Sequence, residues 1–461
     1  MAYAFLSRSL KTNGLKEIRR QLSLNTRPLA RTEIASGTKI KSASKTETEF
    51  EGIRVEFDNG VISEYASAWL QDNIPHEPTM FFTDDFDRCR GLLSKDFRPE
   101  LPVESVEWSE KGVRVGWSHG LEGVFPAQWL LDRDLSEESR LRRVAYQRPT
   151  RRQWTSAEAA KREVLSEALT WEELLSDDRK LREHLHRVVT LGAAVVKDVP
   201  GRTGALLELE RRVGFLTTTD YGTPSEDGSS MDYRYFRVTS ELTPTNLAFT
   251  NRAFELHNEA AYMPTAPEVQ MIHCVEQAPV GGYTLLSNSV GAAEQLRKSD
   301  PEAFELLSTH PVEYMDCNQL EYPIRFLSVK KLIELDEDGS VLATHHSQPR
   351  RSWFVDVPIN KQNAFYCALK KLIQLCYSPQ HLIQLKMDTG DMLWFDNQIV
   401  MHGRSDFDST DLEGATGSRC LEVGYMQRGS VLSRMRGLDE KLGENEHVAV
   451  CAPTQDQLRI D

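Results

Sequence analysis

From Ile53 the chain alternates apolar and polar positions. Ile53, Val55 and Phe57 come before Asn59-Gly60, and Val61, Ser63 and Tyr65 follow it. Period-two alternation on both sides of an Asn-Gly pair predicts a β-hairpin. A second hairpin is predicted for Val103–Trp108 and Val113–Trp117, around Glu110-Lys111-Gly112. Together they predict a small β-rich domain over residues 48–135, interrupted by an acidic, turn-rich stretch through Asp84, Asp85 and Asp87. Residues 136–168 are dense in charge (Arg140, Arg142, Arg143, Arg151, Arg152) and read as a linker that turns helical near Ala157–Leu169.

Residues 169–440 mix short apolar runs with amphipathic ones. Leu191–Val196, Phe249, Val269–Cys274, Thr284–Ser287, Gly390–Phe395 and Cys420–Tyr425 read as strands, and Gly204–Val213 as a helix. Asp300-Pro301 reads as a helix start, with Asp as N-cap and Pro in the first turn. Many short strands with helices outside them suggest a mainly β, double-sheet jelly roll, which pattern alone leaves as one option among several. Residues 441–461 read as a C-terminal tail.

Composition narrows the classes of function. A net charge of −14 argues against a nucleic-acid partner, which needs a basic face for the phosphates. No apolar run nears the ~20 residues that span a bilayer, so a soluble protein with no membrane partner is expected. Seven cysteines, an odd number without a CxxC pair, fit a reducing compartment and not a disulfide scaffold. Residues 1–47 stand apart. Arg8, Lys11, Lys16, Arg19, Arg20, Arg27 and Arg31 face few acids in a Ser- and Leu-rich, partly amphipathic stretch. That is the make-up of a mitochondrial transit peptide; the alternative is a disordered basic extension of a cytoplasmic protein.

In Leu256-His257-Asn258-Glu259, residues i and i+2 point the same way if the segment is extended, so His257 and Glu259 can reach one ion. His402, within Trp394–Arg404, offers a third ligand. Two imidazoles and a carboxylate on one face leave three positions open, the arrangement of non-haem Fe(II) oxygenases. Arg419 then has the planar fork to hold a distal carboxylate. An HxE with a distant His also arises by chance, and by spacing alone it more often marks unrelated core or surface histidines.

Longer fragments resemble the gamma-butyrobetaine and trimethyllysine hydroxylases of the taurine-dioxygenase-like superfamily. The resemblance runs from about Val55 to Leu438. It is densest in His257–Gly282, Pro301–Leu307, Leu332–Gly339, Phe354–Pro358 and Gly390–Arg436, and includes Phe395-Asp396-Asn397, His402-Gly403-Arg404 and Ser433-Arg434-Met435-Arg436. It implies a double-stranded β-helix, Fe(II), dioxygen, 2-oxoglutarate as co-substrate and hydroxylation of a small molecule at an unactivated carbon. The relatives form homodimers, so the resemblance also implies a homodimer. By position, His257, Glu259 and His402 bind the metal, Arg419 holds the 5-carboxylate of 2-oxoglutarate, and Thr284 places a hydroxyl near the co-substrate. Tyr221, Phe249 and Tyr425 fall on three positions of an aromatic cage, and Asn246 on a polar contact; core packing is the plain alternative for the aromatics.

The departures are informative. The relatives carry Asp where this chain has Glu259. Three cysteines of a zinc site are replaced in Ile74-Pro75-His76-Glu77-Pro78-Thr79, so no structural zinc is expected. A cage Trp aligns with Ser225, a carboxylate-binding Tyr with Ala260, and an Asn with Ser347. Arg350 aligns with a family arginine, without an assigned role. The leading expectation is therefore a 2-oxoglutarate dioxygenase whose substrate is not gamma-butyrobetaine. The alternatives are a hydroxylase of carnitine biosynthesis and a catalytically dead binding scaffold.

Overall fold

A computed structural model describes residues 38–46, 51–77, 79–82, 88–154, 156–219, 221–224, 229–239, 244, 246–317, 325–408 and 419–443. The acidic stretch through Asp84, Asp85 and Asp87 and nearly all of the C-terminal tail lie outside these residues. The chain divides into two units, Met1–Pro149 with Asn445–Asp461, and Thr150–Glu444.

In the first unit, Gly52–Phe57 and Ile62–Ala66 pair antiparallel across the Asn59-Gly60 turn, where Gly60 takes φ +85°. Ile53, Val55, Phe57 and Tyr65 point into the core. Val103–Ser109, Gly112–Trp117 and Glu122–Pro126 form a second sheet. Residues 40–45, placed in the leader by composition, instead form a strand, Ile40–Lys45, paired with Gly52–Phe57. Its Ile40 is buried in the same core, and backbone pairing does not need an apolar run. The charged stretch from 136 contains two helices, Glu137–Gln147 and Ala157–Ser166, each N-capped by a serine side chain (Ser136, Ser156).

The second unit is a jelly roll. Its larger sheet has the order Tyr235–Thr239, Cys420–Met426, Val269–Glu276, Met392–Asp396, Ala193–Lys197, Leu169–Thr170. The smaller sheet has the order Phe254–His257, Val400–Arg404, Thr284–Asn288, Leu382–Leu385. All five residues of Met392–Asp396 and of Val400–Arg404 are buried, as expected for strands covered on both faces. Leu286, Ile383, Phe395, Val400 and Val423 fill one core cluster with residues of both sheets. Asp178–Thr190 and Arg428–Lys441 pack with the larger sheet; Ser289–Ser299, Pro301–Thr309 and Gln362–Cys376 pack with the smaller one. Asp300 caps Pro301–Thr309 by accepting from the Ala303 amide.

Two local expectations differ from the structure. Gly204–Val213 is not one helix but a 3-10 turn, Ala205–Glu208, followed by Leu209–Arg212. Phe249 is not in a strand: it ends a 3-10 turn, Leu247–Phe249, which the Asn246 side chain closes by accepting from the Ala248 amide. The short polar side chain competes for the backbone there and overrides the strand preference of Phe. Among the described residues no helix is long and apolar enough to cross a membrane.

Candidate metal centre and its cavity

His257 ends its strand and is the register partner of His402 on the neighbouring antiparallel strand. Two residues lie between Phe254 and His257 but only one between their partners Arg404 and His402, so the His257 strand carries a bulge. The His257 ring stacks on Phe254 with centroids 4.1 Å apart, and its Nδ1 lies 2.8 Å from the Glu255 carbonyl. That contact leaves Nε2 for another partner. The His402 ring sits between His257 and Phe395, with centroids at 4.2 and 4.8 Å.

Glu259 lies just past the strand end rather than on it, and Ala260 follows with φ +50°. Asn397 holds this turn: its Oδ1 accepts from the Glu259 amide at 2.7 Å, and its Nδ2 donates to the carbonyls of Glu259 at 3.1 Å and Pro267 at 2.9 Å. Asn258 braces Asn397 in turn, donating to its carbonyl at 2.7 Å. The turn brings Glu259 Oε2 to 3.7 Å from His402 Nε2, and Gln270 Nε2 donates to the same oxygen at 3.3 Å.

One potential ligand atom from each of His257, Glu259 and His402 lies within 4.8 Å of the other two. Cis ligands at about 2.1 Å from a metal stand about 3 Å apart, so a small adjustment seats one ion. Burial pushes the pKa of both histidines down, that of His402 well below the ordinary range, which keeps the imidazoles in the neutral, metal-binding form. His402 Nδ1 is buried without a hydrogen-bond partner among the described residues. The donor set, two nitrogens and one carboxylate, fits a ferrous ion.

The three residues line one cavity together with Thr284, Arg404 and Arg419. Arg419 and Arg404 are buried, and both guanidiniums lie over the Phe407 ring, at 5.3 and 5.0 Å. Neither forms an ion pair among the described residues. Burial lowers Arg419 to about 10 and Arg404, with Arg419 adding repulsion, to about 9. Arg404 is anchored by the carbonyls of Ala248, Thr250 and Arg252 at 3.0, 2.6 and 2.8 Å. Arg419 donates to Gln277 at 3.3 Å and keeps unspent donor capacity, the condition of a cation awaiting an anion. Gly281 and Gly282 let this corner close. A Cβ on Gly281 would stand 2.3 Å from the Asp406 carbonyl, and Gly282 at φ +66° lies beside Arg419.

Of the residues expected to meet substrate, Tyr221, Asn246 and Phe249 line the cavity. Tyr425 is not among its lining residues: its ring is buried against Phe236, centroids 6.1 Å apart, and Phe236 in turn packs on Tyr221 at 5.2 Å. Ala260 and Ser347 line the cavity as small side chains, whereas Ser225 lies outside the described residues. The sequence patterns do not single out Arg404, Gln270 and Phe236, which line the cavity as well. Strand parity could have found Arg404, two residues beyond His402 on the same strand. Arg350 gains a partner, Asp316, at 2.7 Å.

Comparison with known proteins points to one family. The family profile described as "Taurine catabolism dioxygenase TauD, TfdA family" matches residues 156–421. Gamma-butyrobetaine dioxygenase of Pongo abelii is 28% identical over 380 residues, covering 82% of this chain and 92% of that protein. The enzyme of the same name from Pseudomonas sp. (strain AK-1) is 25% identical, covering 83% and 93%. "Trimethyllysine dioxygenase, mitochondrial" of Gallus gallus is 26% identical, covering 76% and 81%.

Proposed function

The chain belongs to the taurine catabolism dioxygenase TauD, TfdA family, and on that premise we propose that His257, Glu259 and His402 bind Fe(II) and that Arg419 and Thr284 hold 2-oxoglutarate. The protein is an Fe(II)- and 2-oxoglutarate-dependent dioxygenase acting on a small molecule. The observation that carries the site assignment is the meeting, in one cavity, of a two-histidine, one-carboxylate cluster with a buried arginine that forms no ion pair among the described residues.

When bound, the iron supplies the chemistry that couples oxidative decarboxylation of 2-oxoglutarate, to succinate and carbon dioxide, to oxidation of an unactivated carbon. The chain's own residues do the rest. Contact with the Glu255 carbonyl fixes the His257 ring so that Nε2 faces the cavity. Asn397 fixes the backbone of Glu259, and Gln270 steadies its carboxylate by donating to Oε2. Arg419 receives the distal carboxylate of the co-substrate and orients it, with the Thr284 hydroxyl beside it. The apolar wall of Phe249, Phe254, Ile272 and Leu421 keeps water from the reacting carbon.

The substrate is a molecule other than gamma-butyrobetaine, because Ala260 and Ser347 give up the side chains the relatives carry there. The outcome is hydroxylation. The segment Ile74–Thr79 carries no structural zinc. The basic leader supports a mitochondrial location, in keeping with the name of the Gallus gallus relative. Succinate formation with Fe(II), 2-oxoglutarate and a substrate panel tests the reading: turnover is expected in the wild type and not in His402→Ala, and equal activity in the two would refute it.

A further inference from the structure

We infer that the open face of a three-stranded sheet, led by Trp353 and Phe354, docks the protein on an anionic lipid surface. This goes beyond the site assignment above and does not depend on it.

The sheet has the order Phe326–Lys331, Pro311–Asp316, Arg351–Val355. One face is covered: Val312 and Tyr314 of the middle strand are buried in the same core cluster as Phe304 and Leu369. The other face is open. On it Met315 stands opposite Leu327 and Glu313 opposite Val329, and both Leu327 and Val329 are about half exposed. The second edge strand is irregular. Three residues lie between Arg351 and Val355 where one lies between their partners Tyr314 and Val312. The extra residues leave the ladder, as in a bulge, and Trp353 is 85% and Phe354 68% exposed. Ile359, at the start of the next turn, is 84% exposed. Large apolar side chains left in water together, rather than singly, mark a surface that meets another.

Charge selects the partner. Arg325, Lys331 and Lys361 are exposed and Lys330 is half-buried, and none of the four forms an ion pair among the described residues. The carboxylates of the same segments are fewer. Glu313 accepts from the Ser352 hydroxyl, Glu334 is paired with His345 at 2.7 Å, and Asp356 is exposed. The face is thus a cationic, aromatic island on a chain of net charge −14. A second copy on the same face would set these cations against their own images. An anionic lipid surface attracts them and takes the Trp and Phe rings at the level of its headgroups. The lack of a spanning run argues against crossing a membrane, not against resting on one. Ser347 and Arg350, which line the cavity, come just before the bulged strand, so the docking face continues the cavity wall along the chain.

Co-sedimentation of the full chain with phosphatidylcholine vesicles, with and without phosphatidylserine, tests this. The protein is expected to bind the phosphatidylserine vesicles about tenfold or more tightly and to leave them at high salt. No binding, or equal binding to both kinds of vesicle, overturns the inference. Trp353→Ser combined with Phe354→Ser, at positions outside the core, is expected to abolish binding with circular dichroism and Fe(II) uptake unchanged; undiminished binding overturns the inference. Lys331→Glu combined with Lys361→Glu is expected to weaken binding about tenfold or more, and an unchanged affinity counts against it equally. Sedimentation velocity without lipid covers the competing occupant. A wild-type dimer that the double-serine variant dissociates puts a second copy on this face and overturns the inference, whereas a dimer indifferent to the substitution supports it. None of these outcomes bears on the metal site.

Discussion

His257 and His402 are register partners on adjacent antiparallel strands, and their ring centroids lie 4.2 Å apart. The bulge at the His257 strand lets the chain turn so that Glu259 joins them, and the turn is held from the far side by Asn397.

That hold is testable apart from the ligands themselves. Asn397→Ala removes three hydrogen bonds around Glu259, two to its own backbone. Loss of such outer support weakens metal binding by about 10- to 100-fold. Fe(II) affinity measured by anaerobic titration should fall in that range while the far-ultraviolet circular dichroism stays unchanged.

Arg419 should separate co-substrate binding from metal binding. Removing one partner of a buried charged pair costs about 2–5 kcal/mol. Arg419→Met should therefore raise the dissociation constant of 2-oxoglutarate by about 30-fold or more, with Fe(II) affinity nearly unaltered. Arg419→Lys should recover little, since an ammonium lacks the planar fork.

His184 gives a pH dependence that does not involve the site. Its ring is fully buried edge-on to Trp394, centroids 5.3 Å apart, and neither nitrogen has a partner among the described residues. Burial lowers its pKa to about 3. The unfolded chain takes up this proton near pH 6.5 and the folded one only near pH 3, so the stability of the neutral form is present above 6.5 and is lost as pH falls through that window. His184→Phe should move the acid-unfolding midpoint to lower pH and leave stability near pH 8 much less affected, as read from tryptophan fluorescence.

Ala260 holds φ +50°, a conformation costly for a residue with a Cβ. Ala260→Gly should relieve this strain and stabilise the fold by about 0.5–1 kcal/mol in urea unfolding. A loss of stability there would mean that the Ala260 methyl contributes more by packing than its backbone costs.

What the sequence disclosed follows the range over which each feature is encoded. Asn59-Gly60 and Asp300-Pro301 carry their turn and cap in two adjacent residues, and both appear where expected. Phe249 has a residue-level preference for strand, but the determining residue is Asn246, three positions earlier. Ile40–Lys45 has leader-like composition and becomes a strand because Gly52–Phe57 offers it an edge. Local patterns and resemblance point to the two histidines and Glu259 as one cluster; the bulge and the Asn397 brace that bring them together have no local signal. Tyr425 lies behind Phe236 because two strands of the larger sheet, Tyr235–Thr239 and Cys420–Met426, pair side by side, a fact no single stretch of sequence contains.

The most direct measurement is anaerobic titration of the purified protein with Fe(II) in the presence of 2-oxoglutarate, following the metal-to-ligand charge-transfer absorption. One ferrous ion per chain, with the band absent in His257→Ala and His402→Ala, is the predicted result. No band in the wild type, or a band undiminished in both variants, would contradict the account.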